Sequence, residues 1–264
     1  MPTATGAPIV SDAHKQQYQD EGFMILERVI PEDMLQMLRE ECHYFIGWKD
    51  GQLEERGVES EGLTHKGSRY FIANQYKRSH RLPRFLFSEV MAEIATAALG
   101  PDVYLFHEQW VVKGPEQGMK FSWHQDSGYV VHHDPAIAEV HRPYLTCWCA
   151  LDDVTEQNGT VYLLPHSRGG TKGRVLEHTV EEGSNDLIGY TGDDPGDLVE
   201  VPAGSVVCFS SFNLHRSGPN TSDNYRRVYL PQYSAQPIHD SKGGLWALAD
   251  PFVKGGRIVA EAGR

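Results

Sequence analysis

The chain has 264 residues, 40% of them hydrophobic and 23% charged, with a formal net charge of −12. That length and balance suit one sizeable core in a globular protein and set aside a disordered or fibrous chain. The acidity argues against nucleic acid or an anionic membrane as the principal partner, because both repel a strongly negative surface.

In chain order, Met1 to Val10 carries neither the basic start nor the apolar centre of a signal peptide, and no apolar run approaches a membrane span. A cytoplasmic location is the expectation. After Pro31, which suits a first helical turn, Met34, Leu35, Leu38, Cys42 and Phe45 recur at helical spacing and predict a helix with its stripe against the core. Residues 51–67 are polar, with Glu54, Glu55, Glu59 and Glu61 close together, and read as a flap or surface loop. A second helix starts near Ser88, turns Val90, Met91, Ile94 and Ala98 inward and stops at Gly100-Pro101. Strands are then predicted at about 103–113, 119–124, 144–151, 160–164, 174–179, 197–201, 205–210 and 226–233. Such short strands between glycine- and proline-bearing turns fit a mainly β fold with flanking helices, a double-stranded β-helix or jelly roll of the cupin type. With no internal repeat, residues 1–264 read as one domain: a helical part over about 12–100 and a jelly-roll core over about 101–235. Residues 183–196 carry Asp186, Asp193 and Asp194 at a spacing that fits no calcium loop, and read as a surface connection. Cys42, Cys147, Cys149 and Cys208 form no secreted disulfide pattern and are expected to pack as small hydrophobes.

The chemistry concentrates at His124-Gln125-Asp126. In a strand, residues i and i+2 share a face, so His124 and Asp126 converge while Gln125 points away. A second imidazole, His215, follows the apolar run Ser205-Val206-Val207-Cys208-Phe209. Two neutral imidazoles and a carboxylate on one face of an octahedral ion leave the opposite positions open, which suits a non-haem Fe(II). Zinc more often takes a closed set of four ligands or keeps a single water site. With 13 histidines in the chain, the His-x-Asp triplet is weak by itself. Arg226 adds to it: if its strand and that of His215 are neighbours through the Gly218-Pro219-Asn220 turn, guanidinium and imidazole lie close, and an arginine there clamps a carboxylate through two parallel hydrogen bonds. Alternation turns Arg227 the other way.

Taken together, these pieces resemble the phytanoyl-CoA dioxygenase family of Fe(II)- and 2-oxoglutarate-dependent oxygenases. The resemblance runs from about Tyr18 to Tyr233, through Gly22-Phe23-Met24-Ile25-Leu26, Leu99-Gly100-Pro101-Asp102, Gln109-Trp110-Val111-Val112-Lys113, Trp123-His124-Gln125-Asp126, Trp148 to Asp153 and Asn158-Gly159-Thr160. It implies that His124, Asp126 and His215 hold iron, that Arg226 binds the distal carboxylate of 2-oxoglutarate with Ser217 as a hydroxyl partner, and that Trp148 contacts the co-substrate. Gln109 sits where family members vary. The chain departs from the family at Pro165-His166-Ser167-Arg168, where proline-glycine-serine-histidine is usual, without touching an implied ligand.

The implied reaction is hydroxylation of a small organic metabolite by O₂ and 2-oxoglutarate, with succinate and CO₂ released. Desaturation, cyclisation and epoxidation use the same machinery, and a jelly roll without catalysis or a metal-dependent hydrolase is the more distant alternative. Halogenation is disfavoured because Asp126 occupies the position that related halogenases open. Substrate choice is expected from the loops around the iron, Gly51 to Tyr76 and Tyr129 to Arg142, with Tyr70, Phe71 and Tyr129 packing on the substrate and His132 or Arg142 as polar anchor. His107, His166 and His178 read as structural or surface residues. Oligomeric state is left open.

Overall fold

The structure is a computed structural model and describes residues 7–115, 120–182 and 186–260. Met119 and Gly183, which bound two of the expected segments, lie outside the described residues. Two antiparallel sheets face one another. The larger runs in the order Phe23–Leu26, Val206–Ser210, Leu145–Ala150, Arg226–Ser234, Val103–Lys113 and Arg69–Ala73, continuing into the short Thr64–His65 and Ser60–Glu61 strands. The smaller has the order Asp197–Leu198, Val161–Leu164, Leu214–Ser217 and Phe121–His124. This is the predicted jelly roll.

Helices cover the outer face of the larger sheet, so its central strands are buried on both sides, and strict alternation assigns each side chain to one of two cores. From Leu145–Ala150, Leu145, Cys147 and Cys149 pack under the helices while Trp148 and Ala150 face the smaller sheet. Val206–Ser210 divides the same way, Cys208 outward and Val207 and Phe209 inward. All four cysteines are buried and free, as their packing role requires.

The helix after Pro31 spans Glu32–Arg56 and buries Leu35, Leu38, Cys42 and Phe45. It runs further than the polar composition of 51–67 indicated, because exposed glutamates are good helix formers and only Gly57, at φ +65, ends it. The rest of that segment folds into the Ser60–Glu61 and Thr64–His65 ribbon rather than an open loop. The second helix, Glu89–Leu99, is capped by Ser88, whose hydroxyl accepts from the Met91 N–H at 3.3 Å, and it buries Met91 and Ile94.

The expected 174–179 strand is absent. Only Thr179–Val180 pairs, with Leu187–Ile188. Residues 174–176 give their backbone groups to the buried Gln125 side chain instead: its Nε2 donates to Arg174 O at 3.0 Å and its Oε1 accepts from Leu176 N at 2.6 Å. Strands that short apolar patterning did not single out include Phe23–Leu26, Arg69–Ala73 and Asp250–Lys254. The last lies beyond residue 235 and pairs with Val103–Lys113 at the sheet's edge. No described helix is long and apolar enough to cross a membrane.

Candidate metal centre and cavity

His124 and His215 are directly opposed on neighbouring strands of the smaller sheet, with ring centroids 4.2 Å apart. Asp126 joins them by a different route from the one its spacing implies. The strand stops at His124, extended backbone continues only through Gln125, and Asp126 opens the helix Asp126–His133. The Gln125 N–H leaves the ladder to donate to His178 Nε2 at 3.0 Å, and an acid is favoured in a first helical turn. The His178 ring that receives it packs against Gly128 and Gly189, where an added Cβ would come within 2.3 Å of the ring. His178 therefore supports the motif from behind, in keeping with its structural reading.

One nitrogen or oxygen from each of His124, Asp126 and His215 lies within 4.8 Å of the others. Each outer atom is already occupied. His124 Nδ1 meets Ser122 O at 2.8 Å and His215 Nδ1 meets Asn213 O at 3.3 Å, which turns both Nε2 atoms inward. Asp126 Oδ2 accepts from Thr146 Oγ1 at 2.6 Å and Gln232 Nε2 at 3.0 Å, while Oδ1 faces His215 Nε2 at 3.5 Å. Such outer contacts fix imidazole tautomers and orient carboxylates in metal sites. Burial and the neighbouring His215 push the His124 pKa down to about 4, so the ring is a neutral donor at physiological pH. The donor set fits a divalent iron.

Across the cavity, Arg226 is 1% exposed. Its contacts are weak ones for a guanidinium: Nη1 to Val111 O at 3.5 Å, and the face of Trp148 at 5.3 Å. Nε is buried with no partner, and among the described residues no carboxylate pairs with it. Burial lowers its pKa to about 10, which still leaves it charged. A buried, unpaired cation is costly unless a ligand anion completes it. The turn between Arg226 and His215 suggested that their strands are adjacent, and they are not. Arg226 lies in the larger sheet opposite Lys113, and His215 lies in the smaller one, so the two approach across the sandwich. Arg227 does face the other way, paired to Asp152 with Nε to Oδ2 at 3.0 Å.

Lys113, not singled out from the sequence, is 2% exposed and donates from Nζ to Ser217 Oγ at 2.8 Å and to Gly218 O. Burial, with Arg226 and Arg69 as neighbouring like charges, holds its pKa well below the usual lysine value. Because Ser217 Oγ accepts there, its own proton is free to be donated into the cavity.

The cavity joining these groups has a volume of about 410 Å³. Trp148, Gln109, Ser217, Phe71 and Tyr129 line it, as do the triad and Arg226. Three residues named from sequence as substrate contacts do not. Tyr70 is buried under the helices with its hydroxyl donating to Asp50 at 2.8 Å, because alternation along Arg69–Ala73 gives only Phe71 to the cavity. His132 and Arg142 are exposed and absent from the lining, since the helix Asp126–His133 presents Tyr129, Val130 and His133 instead. Conversely, His107 lines the cavity. Its Nδ1 is buried without a partner, and burial takes its pKa to about 4. The signal was available: His107, Gln109 and Lys113 share one strand parity. Trp246 and Ala247 also line it, from a segment past the expected core. His166 is structural, its Nδ1 2.7 Å from Thr171 Oγ1 in the short helix His166–Gly169 formed where the family motif is broken.

Comparison with known proteins agrees with this geometry. The family model described as Phytanoyl-CoA dioxygenase (PhyH) matches residues 18–228. A probable alpha-ketoglutarate-dependent hypophosphite dioxygenase of Stutzerimonas stutzeri is 26% identical over 238 residues, covering 84% of this chain and 77% of the relative. The methylphosphonate hydroxylase of Gimesia maris is also 26% identical, over 241 residues covering 90% and 86%. Among solved structures, EvdO2 from Micromonospora carbonacea var. aurantiaca with 2-oxoglutarate superposes with a TM-score of 0.64 at 23% identity, covering 92% of this chain and 94% of that one. EctD from S. alaskensis gives 0.67 at 19% identity, covering 99% and 89%, and both show the shared fold. The chain belongs to the phytanoyl-CoA dioxygenase family of Fe(II)- and 2-oxoglutarate-dependent oxygenases.

Proposed function

We propose that this oxygenase hydroxylates a small organic molecule at the cavity between the two sheets, with iron held by His124 Nε2, Asp126 and His215 Nε2. The observation that carries the reading is the buried Arg226 guanidinium, without a carboxylate partner among the described residues, in the same cavity as a converging His-Asp-His set. Arg226 takes the distal carboxylate of 2-oxoglutarate, Ser217 donates its hydroxyl proton to the same group, and the Trp148 face closes one side. Bound there, iron and 2-oxoglutarate supply O₂ activation coupled to loss of CO₂ and formation of succinate.

The protein's own contribution is position and dryness. Thr146 and Gln232 hold Asp126 so that one oxygen stays inward. Phe209 and Leu230, both buried, line the cavity and keep water from the reacting centre. Gln109 lines the same space as a neutral polar group. We treat residues 1–264 as one catalytic unit, and four buried free thiols support a cytoplasmic site. Anaerobic titration of Fe(II) and then 2-oxoglutarate into the protein, followed by succinate measurement in air, tests the reading. Stoichiometric binding of both is expected, with substrate-stimulated succinate release. Binding without any succinate would make it a binding protein of the same fold, and succinate formed after loss of Arg226 would move the clamp elsewhere.

A further inference from the structure

We infer that the oxidised substrate is a compact, uncharged molecule with an apolar, ring-sized body and one hydrogen-bonding oxygen that meets the His107 imidazole. This rests on reading the Arg226 end as the co-substrate's, which leaves the opposite end for the substrate. That end is walled by Phe106, Tyr129, Val130, Tyr144, Trp246 and Ala247. Phe106 and Tyr144 stack at 4.6 Å between centroids and belong, with Val130 and Trp246, to one apolar cluster.

No lysine, arginine or carboxylate stands at this end among the described residues. The only lysines or arginines among the described lining residues are Arg226, on the co-substrate side, and Arg216. Arg216 alternates away from His215 and Ser217, lies over the Tyr162 ring at 3.7 Å and donates to Pro195 O at 3.1 Å. The only carboxylate among the described lining residues is that of Asp126. An anionic substrate such as a phosphonate, carboxylate or nucleotide thioester would leave its charge uncompensated there, and so would an ammonium. Two imidazoles remain at this end, and His133 already has its Nδ1 2.7 Å from Tyr129 O, which leaves His107. Among the described residues its ring makes no hydrogen bond, and because Nδ1 is buried without accessible surface, a substrate in the cavity meets the ring at Nε2. A neutral imidazole offers one N–H and one lone pair, which matches a single hydroxyl or carbonyl on the substrate. The same strand parity that points Gln109 into the cavity points His107 there.

The wall is completed from the C-terminal segment. Leu248 N donates to Phe106 O at 2.9 Å and Trp246 N to Ile238 O at 2.9 Å, so this hairpin is tied to the strand that carries His107. Asp134 Oδ2 accepts from Ser241 N at 2.7 Å and ties it to the segment after Tyr129 as well.

The test uses the Fe(II)- and 2-oxoglutarate-loaded protein under argon, titrated calorimetrically with menthol, cyclohexanecarboxylate, cyclohexylammonium and methylphosphonate. Menthol is expected to bind at least about tenfold tighter than each charged probe. His107→Phe is expected to weaken menthol about three- to tenfold, the worth of one net hydrogen bond, with His107→Gln restoring most of it and 2-oxoglutarate affinity unchanged in both. A charged probe binding as tightly as menthol, or menthol affinity unchanged in His107→Phe, overturns the inference. The 2-oxoglutarate titration that precedes the probes reports on the oxygenase reading alone: wild-type protein that takes 2-oxoglutarate and prefers an anionic probe sinks this inference and leaves that reading standing.

Discussion

The two ends of the cavity are built differently. At the Arg226 end every polar group but Asp126, which opens a helix, comes from a strand, and its position is a matter of register: Arg226 opposite Lys113, His215 opposite His124, Ser217 two residues along from His215. At the Phe106 end the walls come mainly from one strand, a short helix and the 238–248 hairpin, and the polar side chains include the imidazoles of His107 and His133. Chemistry common to many substrates sits where the scaffold leaves least freedom, and selection sits where segments change without disturbing the sheets. Breaking the first end should therefore abolish the reaction, and altering the second should redirect it.

The largest effect belongs to the triad. Replacing His124, Asp126 or His215 by alanine is expected to remove stoichiometric Fe(II) binding and turnover together, while the fold persists by circular dichroism. A variant that retained full activity would exclude that residue as a ligand. Arg226→Ala comes next. Losing a buried, bidentate charge contact costs about 2–5 kcal/mol, or roughly 30- to 4000-fold in 2-oxoglutarate affinity. Arg226→Lys should recover only part, because an ammonium lacks the planar fork. Arg227→Ala is the control: it breaks the Asp152 pair on the outer face and should leave 2-oxoglutarate affinity within error.

A smaller effect is expected one layer out. Thr146→Val removes one of the two donors to Asp126 Oδ2 and keeps Gln232. Outer contacts of this kind alter metal affinity by about 10- to 100-fold, so Fe(II) affinity should fall within that range while 2-oxoglutarate affinity at saturating metal stays constant. Equal metal affinity in Thr146→Val would show that Gln232 alone orients the carboxylate. At the other end, Tyr129→Ala should uncouple 2-oxoglutarate consumption from substrate oxidation without lowering Fe(II) affinity, because its ring lines the cavity. Arg142→Ala should do nothing measurable, since Arg142 is exposed and off the lining. Collapse of metal affinity in Tyr129→Ala would make that helix a structural support.

The same contrast explains what was legible in the sequence. The strand-borne groups were readable because period-2 alternation and local spacing carry across a strand: Arg226 and Arg227 separate to opposite faces as alternation requires. The jelly roll followed from strand lengths and turns. What could not be read is tertiary. Asp126 sits on a helix because Gln125 and His178 end the strand through bonds to positions some fifty residues away. The 174–176 segment looked strand-like and spends its backbone on Gln125. Tyr70 and Phe71 are adjacent aromatics, and only the pairing of Tyr70 with Val112 and Phe71 with Val111 decides which one reaches the cavity. Trp246 lies past the last expected strand, and Leu248 N on Phe106 O and the return of Asp250–Lys254 to the sheet edge bring it close.

The smallest effect on chemistry, and the sharpest test of the two-faced sheet, comes from Glu108. It lies between His107 and Gln109 and points the opposite way, under the helices, where it is fully buried and accepts from Tyr76 N at 2.9 Å. Burial raises its pKa from the usual 4.5 to about 7. The folded state thus holds this proton more tightly than the unfolded chain. Its contribution to stability is complete below about pH 4.5 and is lost as pH rises through 7, by an amount on the order of 3 kcal/mol. Glu108→Gln keeps an acceptor for Tyr76 and removes the titration. Urea unfolding should show the variant more stable than the parent at pH 8.5 and no more stable at pH 4.5, with Fe(II) and 2-oxoglutarate affinities unchanged at both. If the variant instead lost 2-oxoglutarate affinity, the outer face of this strand would be coupled to the cavity, and the division of labour between the two faces would fail at its thinnest point.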